Sequence, residues 1–240
     1  MYEFDYMNKL EALMKTAYET NKDTIKVLAR KFADCIKEDK IIHTFGTGHS
    51  HMHGVELFAR AGGLGNVDCM LDPDALPAFG TQRSCAIEKL PGLADIIYDN
   101  YKIVDGDIMI ISSNSGRNAV PIEMAMRAQK EGIYVIAVTN LKQSQATTSR
   151  HPSGKKLYEF ADCIIDTCIP AGDALQNING IKTGPGTSII GMFLLNTIVS
   201  EAIQICADEG IKVPVFQSQN VDGYDNDSIY EKYDGRIKTY

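Results

Sequence analysis

The chain has 240 residues, 44% of them hydrophobic and 23% charged, with a formal net charge of −7. That length buries one full α/β core, whereas two domains would each be small. The acidic balance and the lack of a basic stripe argue against a nucleic-acid surface, while a small anion can still be held by local helix dipoles and a few Lys or Arg.

Residues 1–10 carry Glu3, Asp5 and Lys9 where an export signal needs an apolar stretch. No run of about 18 apolar residues is seen, so no membrane span is expected. Cys35, Cys69, Cys85, Cys163, Cys168 and Cys206 are scattered without a C-x-x-C pair. They read as reduced thiols of a cytoplasmic protein.

Apolar residues at Leu10, Leu13, Met14, Ala17, Ile25, Leu28, Phe32 and Ile36 keep a helical spacing. They predict a long helix over 10–36, weakest near Asn21, that lies across the domain or contributes to a dimer. A buried strand is predicted over 41–45, followed by the loop Gly46-Thr47-Gly48-His49-Ser50, with Ser50 placed to cap a helix through Arg60. A second strand is predicted over 66–71. Residues 72–89, with Pro73, Pro77 and Gly80, read as loop or short helices, and long irregular segments of this kind are often functional.

A short helix over 93–98 leads to a third strand over 107–111 and the loop Ser112-Ser113-Asn114-Ser115-Gly116-Arg117. An amphipathic helix over 118–131 and a fourth strand over 133–139 follow. Residues 141–153 read as polar loop, 154–160 as a short helix, 163–167 as a fifth strand and 170–186 as loop. The segment 187–208 is strongly apolar and helical, with Thr187 or Ser188 placed to cap it. From Pro214 the sequence is polar without a core signal, a partly ordered or subunit-contacting arm. The chain thus divides into a helical extension (1–38), an α/β core (39–210) and a polar arm (211–240) of one domain.

Strands alternating with helices imply right-handed crossovers and a mostly parallel sheet. Ligands bind beyond the carboxyl ends of such strands, near the switch in strand order. Both glycine- and hydroxyl-rich loops, 46–50 and 112–117, follow strands and so lie on that edge. The second loop offers Ser112, Ser113 and Ser115 as hydroxyl donors and Gly116 for a tight turn, at the point where a helix presents unpaired N–H groups and its positive dipole end. That combination suits a phosphate.

These residues carry a resemblance. The chain resembles the SIS (sugar isomerase) domain family, with its Gly-x-Gly-x-Ser loop at Gly46-Thr47-Gly48-His49-Ser50 and its Ser-x-Ser-Gly loop at Ser113-Asn114-Ser115-Gly116. The stretches Ser115 to Ala125, Thr148 to Tyr158 and Asn220-Val221-Asp222-Gly223 are similar to one bacterial branch of phosphoheptose-isomerase-like proteins that has no established reaction. The resemblance implies a flavodoxin-like three-layer sandwich with a five-stranded parallel sheet. It also implies a homodimer or homotetramer, and a phosphosugar site near a subunit interface. Carried over by residue, Gly48, Ser50, Ser113 and Ser115 match phosphate-loop positions, and Thr187 and Ser188 match hydroxyls that close over the ligand in some members. Where members often have Thr or Ser after Ser-Gly-x, this chain has Arg117-Asn118. Arg117 suits a phosphate and equally suits a solvated helix rim.

An aldose–ketose isomerisation needs a base at the carbon next to a carbonyl and an acid that opens the ring. Glu56, about one and a half turns past the first loop, is the leading base; its alternative is a helix-face pair with Arg60. Glu88, in the irregular stretch, is the second. His49, His51 and His53 suggest a metal, but alternate residues diverge on a helix and no Cys is near. No metal or cofactor is therefore expected, and His51 and His53 are read as acid/base or ligand contacts. His151 reads as a loop histidine or a helper from a neighbouring subunit, and Asp173 as a sugar-hydroxyl contact or a turn residue.

Two other readings use the same residues. A phosphosugar sensor would need no catalysis, but 1–40 offers one helix rather than a DNA-binding domain. A nucleotide-dependent oxidoreductase would use Gly46-x-Gly48, with Asp68 or Asp72 near a ribose, but His51 stands at the third glycine position and the loop 112–116 would have no role.

Overall fold

The computed structural model describes residues 5–240; Glu3 of the N-terminal reading lies outside the described residues. The elements in order are α1 (Asp5–Lys37), β1 (Ile42–Gly46), α2 (Met52–Leu57), β2 (Val67–Met70), α3 (Thr81–Ile87), α4 (Leu93–Tyr98), β3 (Ile108–Ser112), α5 (Ala119–Lys130) and β4 (Tyr134–Thr139). Then come α6 (Leu141–Ala146), β5 (Cys163–Asp166), the hairpin β6 (Gln176–Ile178) and β7 (Ile181–Thr183), α7 (Thr187–Asp208) and α8 (Asp227–Tyr233).

The main sheet is parallel throughout, in the order β2-β1-β3-β4-β5. β3 and β4 carry apolar residues on both faces, which is why they read as nearly unbroken apolar runs. On β3, Ile108 and Ile110 face α1 and α7, packing with Phe32, Leu194 and Ile198. Met109 and Ile111 face α4 and α5, packing with Ile97, Val120 and Met124. The result is the three-layer α/β sandwich with a long N-terminal helix that the sequence predicts. The weak patch in α1 has a cause: buried Asn21 donates to the Asp166 carbonyl at 2.7 Å and accepts from Asp166 N–H at 2.9 Å, tying the helix to β5.

Several local expectations are corrected. Ser50 caps no helix: it sits inside a 3-10 turn (Gly48–His51), and α2 stops at Leu57 rather than Arg60. Residues 141–153 contain α6, capped by the Asn140 side chain, which accepts from Gln143 N–H at 3.0 Å. Residues 154–160 form only the 3-10 turn Leu157–Glu159, and 170–186 holds the hairpin. Neither Thr187 nor Ser188 caps α7. Asp173 does so, its Oδ1 accepting from Gly186 and Thr187 N–H at 2.9 Å each. The C-terminal segment has a core of its own, in which Phe216, Ile229, Tyr233 and Ile237 close over Ile41.

Helix α7 also departs from expectation in composition, being long and apolar enough to cross a membrane by those criteria alone. In this fold it lies along α1, with Ile190, Leu194, Leu195 and Ile198 buried.

Candidate functional site

The chain runs from β1 to β2 on one side and then returns to place β3 on the other side of β1. This reversal opens a crevice at the carboxyl ends of β1 and β3. Gly46 and Ser112 are the terminal register partners of those strands. The loops that follow them therefore start side by side.

Each loop is shaped by glycine. A side chain at Gly46 would place its Cβ 2.7 Å from the Ser50 carbonyl, so the 3-10 turn folds back only over a bare backbone. Gly48 has a φ of 57° and faces open space. Gly116, also at φ 57°, donates its N–H to Ser113 Oγ at 3.2 Å, and its carbonyl accepts from Leu157 N–H at 2.9 Å. The Ser113 hydroxyl proton stays free, and half-buried Ser115 lies at the mouth of α5. At the start of α5 the Val120 N–H is already paired and Pro121 has none, so the Ser113 and Ser115 hydroxyls are the groups this loop offers to an anion.

Ser112 does something else. It is buried, 3.0 Å from Nδ1 of His53, whose Nε2 is 3.4 Å from the Thr187 carbonyl. A carbonyl only accepts, so Nε2 carries the proton and the Ser112 hydroxyl donates to Nδ1. Burial holds the imidazole down at about 4, so it is neutral. Gly191 makes the room, since a Cβ there would lie 2.1 Å from the ring. Ser112 and His53 thus join β3 to α7 beneath the crevice rather than lining it.

The remaining histidines diverge. His49 is exposed, and His51 turns its Nδ1 back onto the Gly48 carbonyl. His151 pairs with Glu123 at 3.2 Å on α5.

The two glutamates are placed very differently. Glu56 pairs with Arg60 and accepts from Asn196 Nδ2 at 2.9 Å. Asn196 lies nine residues past Thr187, roughly 13 Å along α7 at the usual helical rise, so within one subunit Glu56 sits away from the crevice. Glu88, just past α3, lies between the loops. Its Oε2 accepts from Thr47 Oγ1 at 2.9 Å, and its Oε1 from Asn118 Nδ2 at 2.7 Å. Its backbone carbonyl also takes the Val120 N–H in the first turn of α5. Burial raises the Glu88 carboxyl above its ordinary value, against the Thr47 hydrogen bond and the charges of Lys89 and Arg150.

Arg117 reaches Thr148 Oγ1 with Nη2 at 3.1 Å, and its buried Nε has no partner. Arg150 donates to Asn118 Oδ1 at 3.1 Å. Thr187 is buried with an unpartnered hydroxyl, and Ser188 is half-buried beside it.

Asp68 and Asp72 do not take a ribose-binding place. Asp72 caps a 3-10 turn through Asp74 N–H, while Asp68 is wholly buried beside His43, on the far side of which stands Asp107. Sequence reasoning missed Thr47, Asn118 and Arg150. The replacement of the usual hydroxyl by Asn118 was the available signal, and its amide proves to face Glu88.

A model of the SIS domain matches residues 5–140. A UPF0309 protein of Halalkalibacterium halodurans is 38% identical, covering 95% of this chain and 96% of its own length. A UPF0309 protein of Caldanaerobacter subterraneus is 34% identical over 99% and 98%. Among solved structures, a phosphoheptose isomerase from Neisseria gonorrhoeae shares the fold with a TM-score of 0.57 and 14% identity, covering 82% of this chain and 95% of that one. Another from Francisella tularensis gives 0.50 and 16%, covering 83% and 100%.

Proposed function

Given that the chain belongs to the SIS-domain family, in its UPF0309 group, we propose that it binds a phosphorylated sugar and interconverts its aldose and ketose forms. The observation that carries this reading is the Glu88 carboxylate, fixed between a phosphate-type loop at α5 and the glycine loop after β1. The phosphate is held by the hydroxyls of Ser50, Ser113 and Ser115 and by Arg117, with Thr187 and Ser188 on the α7 side. Gly48 lets the first loop approach it closely.

Glu88 then acts as the base. The C2–H bond breaks, the proton passes to the carboxylate, and the electron pair forms the enediol as the C1 carbonyl oxygen takes a proton. Return of the first proton to C1, as the C2 hydroxyl gives up its proton and becomes the carbonyl, completes the exchange. A carboxylate raised by burial is a better base for this step than an exposed one. His51 suits ring opening: its Nδ1 is held by the Gly48 carbonyl, which leaves Nε2 as the acceptor nitrogen. Elimination or deamination would begin with the same abstraction.

The same reading includes a second copy of the chain. Ile189 near the start of α7 is exposed, and α2, which packs against α7, exposes Met52 and Val55. Exposed apolar side chains gathered on neighbouring elements mark a surface for a partner. Val55→Asp should yield a monomer by light scattering; an unchanged mass would remove this part.

The test of the main reading is a panel of sugar phosphates, because a ligand bound only to the folded state raises its thermal midpoint. Stabilisation with turnover supports isomerisation, stabilisation without turnover a sensor, and stabilisation by NADH alone an oxidoreductase.

A further inference from the structure

Segment 148–156 crosses the start of α5 and is fastened there at several points. Arg150 N–H donates to the Arg117 carbonyl at 2.8 Å, Thr148 Oγ1 accepts from Arg117, and His151 pairs with Glu123. In the midst of these contacts the Arg150 guanidinium meets the Asn118 amide, and that amide meets Glu88. The chemistry of the three groups is directional. Arginine can only donate, so the amide oxygen of Asn118 must face it. The NH2 end is then turned to Glu88 Oε1, which must be an acceptor. A proton on Oε1 would point at an N–H donor. The other partner, Thr47, is a hydroxyl that rotates and can donate or accept.

We propose that Asn118, oriented by Arg150, is the positioning residue for Glu88: it keeps the proton off Oε1 and leaves Oε2, facing Thr47, as the one oxygen that takes it. In the ionised state Thr47 donates to Oε2; when Oε2 is protonated, Thr47 turns and accepts. The carboxylate thus gains and loses a proton without moving, and the strap at 148–156 governs its readiness. This rests on Glu88 being the proton-handling group of the proposed function. Asn118 and Arg150 act through Glu88, with Lys89 and Arg150 the cations that bear on it.

The test reads ionisation directly and needs no substrate. In the full chain labelled with carboxyl-13C glutamate, the Glu88 signal is assigned by its loss in Glu88→Gln and titrated by NMR. Asn118→Leu and Arg150→Met should each raise its midpoint by about one pH unit, the size of one lost charge-assisted hydrogen bond. Arg150→Lys should restore part of the shift. Asn118→Asp, which sets a second carboxylate against Oε1, should raise it further. A purely structural role would lower the melting temperature and leave the midpoint where it was; a folded Asn118→Leu protein with the wild-type midpoint overturns the proposal. Should the midpoints move while Glu88→Gln retains full turnover, the positioning stands and the base assignment falls.

Discussion

Gly46 and Ser112 face each other as the last paired residues of neighbouring parallel strands, though 66 positions separate them in the chain. That pairing brings two loops, each unremarkable alone, to one rim. It also divides labour among the serines: Ser112 is turned inward to His53, while Ser113 and Ser115 stay at the mouth of α5.

The division predicts unequal effects of serine substitution. Ser113→Ala and Ser115→Ala should each weaken phosphosugar binding by about tenfold, as expected for one hydrogen bond to a charged group. Ser112→Ala should mainly lower stability, because it strands a buried imidazole nitrogen. Calorimetric titration beside thermal melts separates the two; equal losses of affinity in all three variants would contradict this assignment.

Glu88→Gln keeps acceptor oxygen for one of the two donors and is expected to fold and bind. Its turnover should fall by about a hundredfold or more, the usual contribution of a positioned base. Assay with the sugar phosphate that stabilises the wild type decides it, and unchanged turnover would remove Glu88 from the chemistry.

Acid should unfold the protein through His53. Its folded value near 4 lies below the ordinary 6.5, so its contribution is intact above 6.5 and is lost as pH falls toward 4, on the order of 3 kcal/mol. Urea melts across that range should steepen for the wild type and flatten for His53→Gln. Parallel curves would show that the ring titrates normally.

His43 has the opposite sign. Burial alone would discharge it, but Asp107 at 3.2 Å and Asp68 at 3.4 Å outweigh that cost and hold it above the ordinary value. Its stabilisation is full below about 6.5 and is lost as pH rises through the folded value. In Asp107→Asn, which removes one supporting charge and so lowers the folded value, the alkaline decline should be smaller and end at lower pH; urea midpoints from pH 6 to 9 would show it, with coincident declines as the contrary result.

The C-terminal segment should stabilise the single chain. Phe216→Ala empties a buried site among Tyr230 and Tyr240 and should cost about 3–5 kcal/mol. The drop in melting temperature should not depend on protein concentration; a concentration-dependent drop would return the segment to the role of a subunit-contacting arm.

Most of the sheet was legible because its strands are short, largely apolar and fully or mostly buried, and β1 and β3 run straight into loops at Gly46 and Ser112. Ile42, Ile108 and Val67 could be placed within a residue or so by pattern alone. The C-terminal core was not legible, since Phe216, Ile229 and Tyr233 are spaced among polar residues and only the fold brings them onto Ile41. The loops at 46–50 and 112–117 could be read locally, since glycines and hydroxyls announce themselves within a few residues. The place of Glu88 could not. It depends on an irregular stretch without periodicity, and on Thr47 and Asn118, which lie 41 and 30 positions away. Glu56 was favoured for its nearness to the first loop in sequence, whereas helix α2 points it toward Asn196.

Both loops should grip the same phosphate. An amide 15N–1H spectrum recorded during titration with the stabilising sugar phosphate reads this at each loop. The amides of Gly46, Gly48 and Ser50 should shift together with those of Ser113, Ser115 and Gly116, along one saturation curve. Saturable shifts confined to one loop, or spread over surface lysines with both loops silent, would contradict it.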